Sequence, residues 1–144
     1  MRSFISMIFK QFGQPMTTET SNLLSLLIVD DSRVSRMMIR AFVLDKNPTW
    51  NITEAVSGDE AMKMVELDHY DFCTMDINMP GTLGIVAAER ILEKFPKLRV
   101  AIFSANIQEC LRSRAAELGA HFVAKPVTEK SVAQAISFFK GEGG

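Results

Sequence analysis

Five short apolar runs alternate with five segments of helical periodicity over most of this 144-residue chain. This alternation restricts the fold more than any other feature. The runs have strand length, and we predict strands at 24–29, 52–56, 72–75, 99–103 and 122–124. The segments after them predict helices at 33–44, 59–67, 85–95, 107–118 and 129–139. Strands joined by helices favour an α/β fold in which helices cover both faces of a parallel sheet. The first, third and fourth runs are apolar throughout, as expected of strands buried on both faces.

Local signals set the ends of several predicted helices. Ser32 and Thr128 are suitable N-caps because a hydroxyl oxygen can accept a hydrogen bond from a free amide of the first turn. Gly119 is a suitable left-handed C-cap. The first predicted helix carries one apolar stripe, which we expect to face the core: Val34, Met37, Met38, Ala41 and Phe42.

A reactive side chain stands at the end of four of the apolar runs. Asp30 and Asp31 follow the first run, Asp76 follows the third, Ser104 the fourth and Lys125 the fifth. Because ligands in open parallel sheets bind outside the carboxyl ends of the strands, these side chains are predicted to form one pocket. Taken singly, each is more commonly a turn or cap residue, but the joint pattern favours a shared site.

The chemistry of this predicted pocket suits a divalent cation and a phosphoryl group. Clustered carboxylates repel one another without a cation, and oxygen ligands favour Mg²⁺. An aspartate can also attack a phosphoryl group to give an aspartyl-phosphate. In such a transfer, Lys125 can neutralise charge on the phosphoryl oxygens and the Ser104 hydroxyl can donate a hydrogen bond to one of them.

Composition excludes several other classes of protein. The chain has 16 Lys+Arg against 17 Asp+Glu, so no basic surplus indicates nucleic-acid binding. Cys73 and Cys110 lie in no metal-binding or redox motif, which fits a reducing cytosol and predicts a cytoplasmic protein. No run approaches the ~20 apolar residues of a membrane span.

We divide the chain into an N-terminal extension at 1–22, a domain at 23–140 and a Gly-rich tail at 141–144. The extension combines an amphipathic segment with a polar linker. One interpretation is a disordered extension, or a misassigned start with Met16 as the true first residue. The other is an amphipathic helix that docks on the domain, on a second copy or on a membrane. With only Arg2 and Lys10 as basic residues, docking on protein is favoured over lipid.

Three motifs give the chain a clear resemblance to the receiver domain of bacterial two-component response regulators. They are Val29-Asp30-Asp31-Ser32, Met75-Asp76-Ile77-Asn78-Met79-Pro80 with Gly84, and Lys125-Pro126. The resemblance covers about Leu24 to Phe139. It implies a flavodoxin-like fold, a five-stranded parallel sheet in strand order 2-1-3-4-5 flanked by five helices.

The resemblance also implies a phosphorylation site. Asp76 matches the aspartate that accepts the phosphoryl group. Asp30, Asp31 and Asp76 match the carboxylates that hold Mg²⁺, and Asn78 matches the residue whose backbone carbonyl is a further ligand.

A second group of positions matches the residues that respond to phosphorylation in the family. Ser104 and Lys125 match the residues that bind the phosphoryl group, and Phe122 matches the aromatic residue that turns inward on activation. Asn78 and Asn106 match positions that flank the path of the hydrolytic water and tune the phosphate lifetime.

The function implied is that of a phospho-accepting response regulator. A sensor histidine kinase or a histidine phosphotransfer protein would supply the phosphoryl group, and the protein would catalyse only its own phosphorylation and dephosphorylation. The altered face of helix 4, strand 5 and helix 5 would then bind a protein partner, which the sequence does not identify. Because the chain ends at the fifth helix, we expect a stand-alone receiver like the chemotaxis regulators, with a homodimer left open.

Other functions remain as alternatives. The protein can be a phosphate-shuttling intermediate of a relay, or a phosphorylation-independent interaction module. A phosphatase with an aspartate nucleophile usually carries D-x-D, whereas the sequence here is Asp76-Ile77-Asn78. A flavodoxin-type module would need a phosphate loop after the first strand, where the adjacent carboxylates of Asp30 and Asp31 would repel a phosphate.

Overall fold

The protein was analysed as a computed structural model, which describes residues 23–78 and 83–142. The strands are β1 Ser25–Val29, β2 Asn51–Ala55, β3 Phe72–Asp76, β4 Arg99–Ser104 and β5 His121–Ala124. The helices are α1 Arg33–Lys46, α2 Gly58–Leu67, α3 Gly84–Lys94, α4 Glu109–Leu118 and α5 Glu129–Phe139. The predicted extension at 1–22, the motif residues Met79 and Pro80, and the last two residues of the predicted tail lie outside the described residues.

The five strands form one parallel sheet in the order β2-β1-β3-β4-β5. This confirms the α/β fold class predicted from the sequence pattern and the strand order implied by the family resemblance. The predicted element bounds agree to within two residues. The two largest differences are the end of α1, at Lys46 instead of residue 44, and the start of α4, at Glu109 instead of residue 107. The side-chain oxygen of Asn106 accepts a hydrogen bond from the Gln108 amide at 3.0 Å, which holds this segment in a turn before the helix begins.

Helices cover both faces of the sheet because successive strand residues point to opposite sides. Leu27 and Val29 pack toward α2, α3 and α4, and Leu26 and Ile28 pack toward α1 and α5. All four residues are at most 1% exposed. The runs predicted to be buried on both faces are therefore the central strands β1, β3 and β4.

The predicted buried face of the first helix is wrong. Ile39 and Val43 are each 1% exposed and face the core, whereas Val34 and Met37 are 65% and 57% exposed. Met38 is also exposed, and of the predicted stripe only Phe42 packs against the core. Both stripes have helical spacing, so the rotation of α1 about its axis depends on how it packs against the sheet and α5.

The predicted helix caps are confirmed. The hydroxyl oxygens of Ser32 and Thr128 accept hydrogen bonds from the amides of Ser35 and Ser131 at 3.2 and 3.1 Å. Gly119 ends α4 in the left-handed conformation, with φ of 82°. Among the described residues, no helix is long and apolar enough to cross a membrane.

Candidate functional site

Three carboxylates meet at the carboxyl edge of the sheet. Asp30 follows β1 directly, Asp31 comes next, and Asp76 ends the adjacent strand β3. One carboxylate oxygen from each lies within 4.8 Å of the others. Asp30 and Asp76 are 1% and 4% exposed, whereas Asp31 is open to solvent. The register of two neighbouring parallel strands thus brings together carboxylates that are about 45 residues apart in sequence.

Lys125 brings a positive charge to these carboxylates from the end of β5. Its ammonium nitrogen lies 3.0 Å from Asp76 Oδ1 and 3.7 Å from Asp30 Oδ2. Asp76 Oδ1 is shielded from solvent and has no hydrogen-bond partner among the described residues. The oxygen is therefore held by charge attraction alone, and it retains acceptor capacity for a cation or for bond formation.

The electrostatics of the site disfavour the ionised form of Asp30. Burial raises the pKa of Asp30, and the negative charges of Asp76 and Asp31 raise it further. A hydrogen bond from the Ser32 amide at 2.8 Å and the charge of Lys125 lower the pKa, but they do not outweigh these effects. The net upward shift of the pKa means that the ionised carboxylate of Asp30 is less stable at this position than in water.

These residues suit a hard divalent cation. The donor set is three carboxylates, one of which has a buried oxygen with no hydrogen bond from the part of the chain that the structure describes. Oxygen donors with one side open to water are the arrangement that Mg²⁺ favours. Asn78, the predicted backbone ligand, lies two residues beyond Asp76 and is exposed.

Ser104 ends β4 next to this cluster, but its hydroxyl is engaged locally. The Ser104 oxygen accepts a hydrogen bond from the Asn106 amide at 2.9 Å and the hydroxyl donates to the Asn106 carbonyl at 3.2 Å. The backbone of Ser104 is bound to that of Lys125, whose amide donates to the Ser104 carbonyl at 2.9 Å. The strand ends therefore place Ser104 beside Lys125, while the Ser104 side chain contacts neither Lys125 nor Asp76 through a hydrogen bond.

Phe122 lies on β5 and is half-buried against the core on the side of α4. The guanidinium carbon of Arg112, an α4 residue, lies 4.6 Å from the centre of the Phe122 ring. This distance is within the range of a cation–π contact. The ring is thus covered by a charged side chain on one face instead of being enclosed in the core.

Sequence reasoning missed the residues that hold the backbone of the acidic loop. The Arg36 guanidinium donates to the Asp30 carbonyl at 2.7 Å and to Glu54 at 2.8 Å. Arg40, one helical turn later, donates to the other Glu54 oxygen at 2.8 Å. The pattern Arg36-x-x-x-Arg40 on one helix was the available signal, but the sequence did not identify Glu54 as its partner.

Gly84, the first residue of α3, lies against the end of β3 next to the site. The Gly84 amide donates to the Ile77 carbonyl at 3.3 Å, which closes the loop after Asp76. A Cβ atom at this position would lie 2.8 Å from the Asp76 carbonyl carbon and from Ile77 Cα, closer than real Cβ contacts. Gly84 is thus required for the close approach of α3 to the end of β3.

Comparisons with known proteins agree with this geometry. The family described as response regulator receiver domain matches residues 26–137. The protein CcdB of Bacillus subtilis is 36% identical over 118 residues, which cover 81% of this chain and 97% of CcdB. The chemotaxis protein CheY of Bacillus subtilis is 35% identical, over 78% of this chain and 93% of CheY. A crystal structure of a CheX–CheY–BeF₃–Mg²⁺ complex from Borrelia burgdorferi contains a chain that is 28% identical, with a TM-score of 0.71 over 83% of this chain and 92% of that chain.

Proposed function

Since the chain belongs to the response regulator receiver domain family, we propose that it is a phospho-accepting response regulator in which Asp76 receives the phosphoryl group. Receiver domains are signalling modules and not classical enzymes, so the reaction would be a single transfer to the protein itself. The observation that carries the proposal is Asp76 Oδ1: it is buried, it has no hydrogen bond within residues 23–78 and 83–142, and it lies 3.0 Å from the Lys125 ammonium. We place the functional domain at residues 23–140.

The transfer is a displacement at phosphorus. A carboxylate oxygen of Asp76 forms a bond to phosphorus, and the bond from phosphorus to the histidine nitrogen of the donor breaks. The electron pair of that bond stays on the imidazole nitrogen. The product is an acyl phosphate on Asp76. Lys125 is positioned to stabilise the negative charge that the phosphoryl oxygens carry during transfer.

Asp30, Asp31, Asp76 and the backbone carbonyl of Asn78 are the residues that would hold Mg²⁺. The bound cation would offset the repulsion among the carboxylates and neutralise charge on the phosphoryl group. The support for this part of the proposal is the cluster of three oxygens within 4.8 Å, together with the upward-shifted pKa of Asp30.

We further propose that Ser104, Lys125 and Phe122 transmit phosphorylation to the face formed by α4, β5 and α5. A phosphoryl group on Asp76 offers strong acceptor oxygens close to Lys125 and to the strand end that carries Ser104. To reach it, the Ser104 hydroxyl must leave its two hydrogen bonds with Asn106. The Ser104 hydroxyl would thus have two alternative positions, and a local change of charge at Asp76 would shift the equilibrium between them. Phe122 would turn inward as the α4 side rearranges, and Asn78 and Asn106 would border the path of the hydrolytic water.

The partners follow from this chemistry. The donor would be a sensor histidine kinase or a histidine phosphotransfer protein, and a protein that binds the altered face would receive the signal. The Borrelia burgdorferi relative forms a complex with the protein CheX, which supports a protein partner over a nucleic acid. We propose a cytoplasmic location, where such a kinase domain would be accessible.

The test is covalent labelling by acetyl phosphate in the presence of Mg²⁺, followed by intact-mass measurement at short times. We expect the wild-type protein to gain the mass of one phosphoryl group, and hydroxylamine to remove it, as for an acyl phosphate. Asp76→Asn should gain nothing. Asp68→Asn, which removes an exposed carboxylate from the end of α2, should label like the wild type. An unlabelled wild type, or a labelled Asp76→Asn, would contradict the proposal.

Labelling without added Mg²⁺ tests the metal site separately. We expect removal of the cation by a chelator to slow labelling of the wild type strongly, because Lys125 is then the only cationic side chain, among the described residues, within 4 Å of the carboxylates of the cluster. Labelling at an unchanged rate would show that the acidic cluster does not act through a cation.

A further inference from the structure

A deep groove lies at the amino edge of the sheet, opposite the carboxylate cluster. Its volume is about 900 Å³. Leu24, which precedes β1, and Phe72, the first residue of β3, form its floor, and the ends of α2 and α5 contribute Leu67 and Phe139. This volume is within the range of pockets that hold an apolar ligand or side-chain cluster.

Nine of the sixteen residues that line the groove are apolar or aromatic, and the other seven are charged residues or histidine. The Phe72 ring stacks on Phe139 with centroids 4.7 Å apart, and it also packs against Trp50 at 5.0 Å. Leu67 is 80% exposed and belongs to the groove lining, so an occupant of the groove would cover its side chain. Four of these polar residues pair with each other, Lys94 with Glu66 and His69 with Asp71.

The N-terminal extension has the composition to fill this groove. Its apolar residues recur at helical spacing and form one stripe: Phe4, Ile5, Ile8, Phe9 and Phe12. Arg2 and Lys10 are the only charged residues among the first 15. An amphipathic helix that lays its apolar stripe in a groove is a recurring mode of recognition.

The position of the groove in the fold favours this segment over a separate partner. The extension joins the described chain at Leu23, and the next residue, Leu24, is itself part of the groove. Ten residues, 13–22, separate the stripe from that point, and they can span up to about 33 Å. A tethered segment also has a high effective concentration at a nearby site.

We propose that residues 1–12 dock with their apolar stripe in the groove at the amino edge of the sheet of the same molecule. This inference does not rest on phosphorylation of Asp76. It assigns a binding site to the edge of the sheet that the proposed phosphoryl chemistry does not use.

Disulfide cross-linking of the full-length chain tests the proposal. Phe9→Cys is combined with Leu67→Cys at the rim, and Cys110→Ser removes the exposed native thiol. The matched control combines Phe9→Cys with Met37→Cys, an apolar residue that is also exposed but lies outside the groove lining. Under mild oxidation we expect the Leu67 pair to form an intramolecular disulfide several-fold faster than the Met37 pair. Equal rates, or faster linkage to Met37, would overturn the proposal, and a disulfide-linked dimer would show that the occupant is a second copy.

A second variant separates docking from simple proximity. With Phe12→Cys and Leu67→Cys as the linked pair, Phe9→Asp should slow cross-linking severalfold, because an aspartate is costly to bury in an apolar groove. Phe9 precedes residues 26–137, which match the receiver domain family, so we expect the domain to fold in this variant. In the same chains, hydrogen exchange should become faster at the end of α2 and around 95–98 when Phe9→Asp is present. Unchanged cross-linking and exchange would show that the extension does not occupy the groove.

Discussion

Replacing Asp30 by Asn should stabilise the metal-free protein at neutral pH. The substitution removes a buried charge whose pKa is raised by burial and by the carboxylates of Asp76 and Asp31. It preserves the shape of the side chain, and the amide oxygen can still accept the 2.8 Å hydrogen bond from the Ser32 amide. The ammonium of Lys125 retains its contact with Asp76 at 3.0 Å.

The size of the gain follows from opposing charge interactions. The carboxylate oxygens of Asp30 and Asp76 lie at most 4.8 Å apart, so with an effective dielectric constant of ~20 their repulsion is at least about 3.5 kcal/mol. Attraction between Asp30 and Lys125 at 3.7 Å is about 4.5 kcal/mol on the same scale. These two terms largely cancel, so the cost of burying the charge and the repulsion from Asp31 remain. We expect Asp30→Asn to raise the free energy of unfolding by about 1–2 kcal/mol, a usual size for the effect of one substitution, which corresponds to a rise in Tm of about 3–8 °C for a domain of this size.

The dependence on pH has a definite sign. The pKa of Asp30 is higher in the folded state than in the unfolded state, so the wild type loses stability as the pH rises from about 4 through the folded-state pKa. Below about pH 4 the carboxyl is protonated in both states and the penalty is absent. The advantage of Asp30→Asn should therefore be small in acid and full at pH 7–8.

Urea unfolding and thermal melts in chelator, at several pH values, measure this gain. Asp45→Asn, which removes an exposed carboxylate of α1, is the control for loss of one negative charge and should change the free energy of unfolding by less than about 0.5 kcal/mol. Saturating Mg²⁺ should reduce or reverse the advantage of Asp30→Asn, because the cation stabilises the wild type by binding its folded state. A destabilised Asp30→Asn protein in chelator, or a gain independent of both pH and Mg²⁺, would refute the reasoning.

Three further predictions concern packing, an ion pair and thiol reactivity. Gly84→Ala should lower the free energy of unfolding in urea by several kcal/mol, because the new Cβ collides with backbone atoms. At Gly119 a Cβ meets no atoms within 4 Å, so Gly119→Ala should lower it by only about 1 kcal/mol, the cost of a positive φ. Burial raises the pKa of Glu54, but hydrogen bonds from two arginines outweigh this effect and lower the pKa overall. Glu54→Gln should therefore lower the free energy of unfolding by about 1 kcal/mol at pH 7. This loss of stability should shrink as the pH falls through the folded-state pKa of Glu54. Burial raises the pKa of Cys73 to about 12, so iodoacetamide should label only Cys110 in the folded protein and both thiols after unfolding, as counted by mass spectrometry.

The sequence by itself determined the order of the elements and the end of the sheet where the site forms. Strand-length apolar runs, helix caps such as Ser32 and the left-handed Gly119 are local signals, because each depends on residues a few positions away. The convergence of Asp30, Asp31 and Asp76 also followed, since carboxyl ends of adjacent parallel strands must lie together. The roles of these residues and of Ser104, Lys125 and Phe122 in phosphorylation stay predictions that the labelling experiments address.

Where the sequence allowed more than one local arrangement, such as two apolar faces on one helix, the tertiary structure decided which one is buried. Helix α1 offers two apolar stripes of equal periodicity, and packing against the sheet and α5 selected Ile39 and Val43 for the core and exposed Val34 and Met37. The contact of Arg36 with Glu54 and the groove beside Leu24 depend likewise on elements that are distant in sequence. Periodicity fixes only which residues share a face of a helix. Which face becomes buried depends on the relative free energy of packing each one against the rest of the chain, and that comparison exists only in the assembled fold.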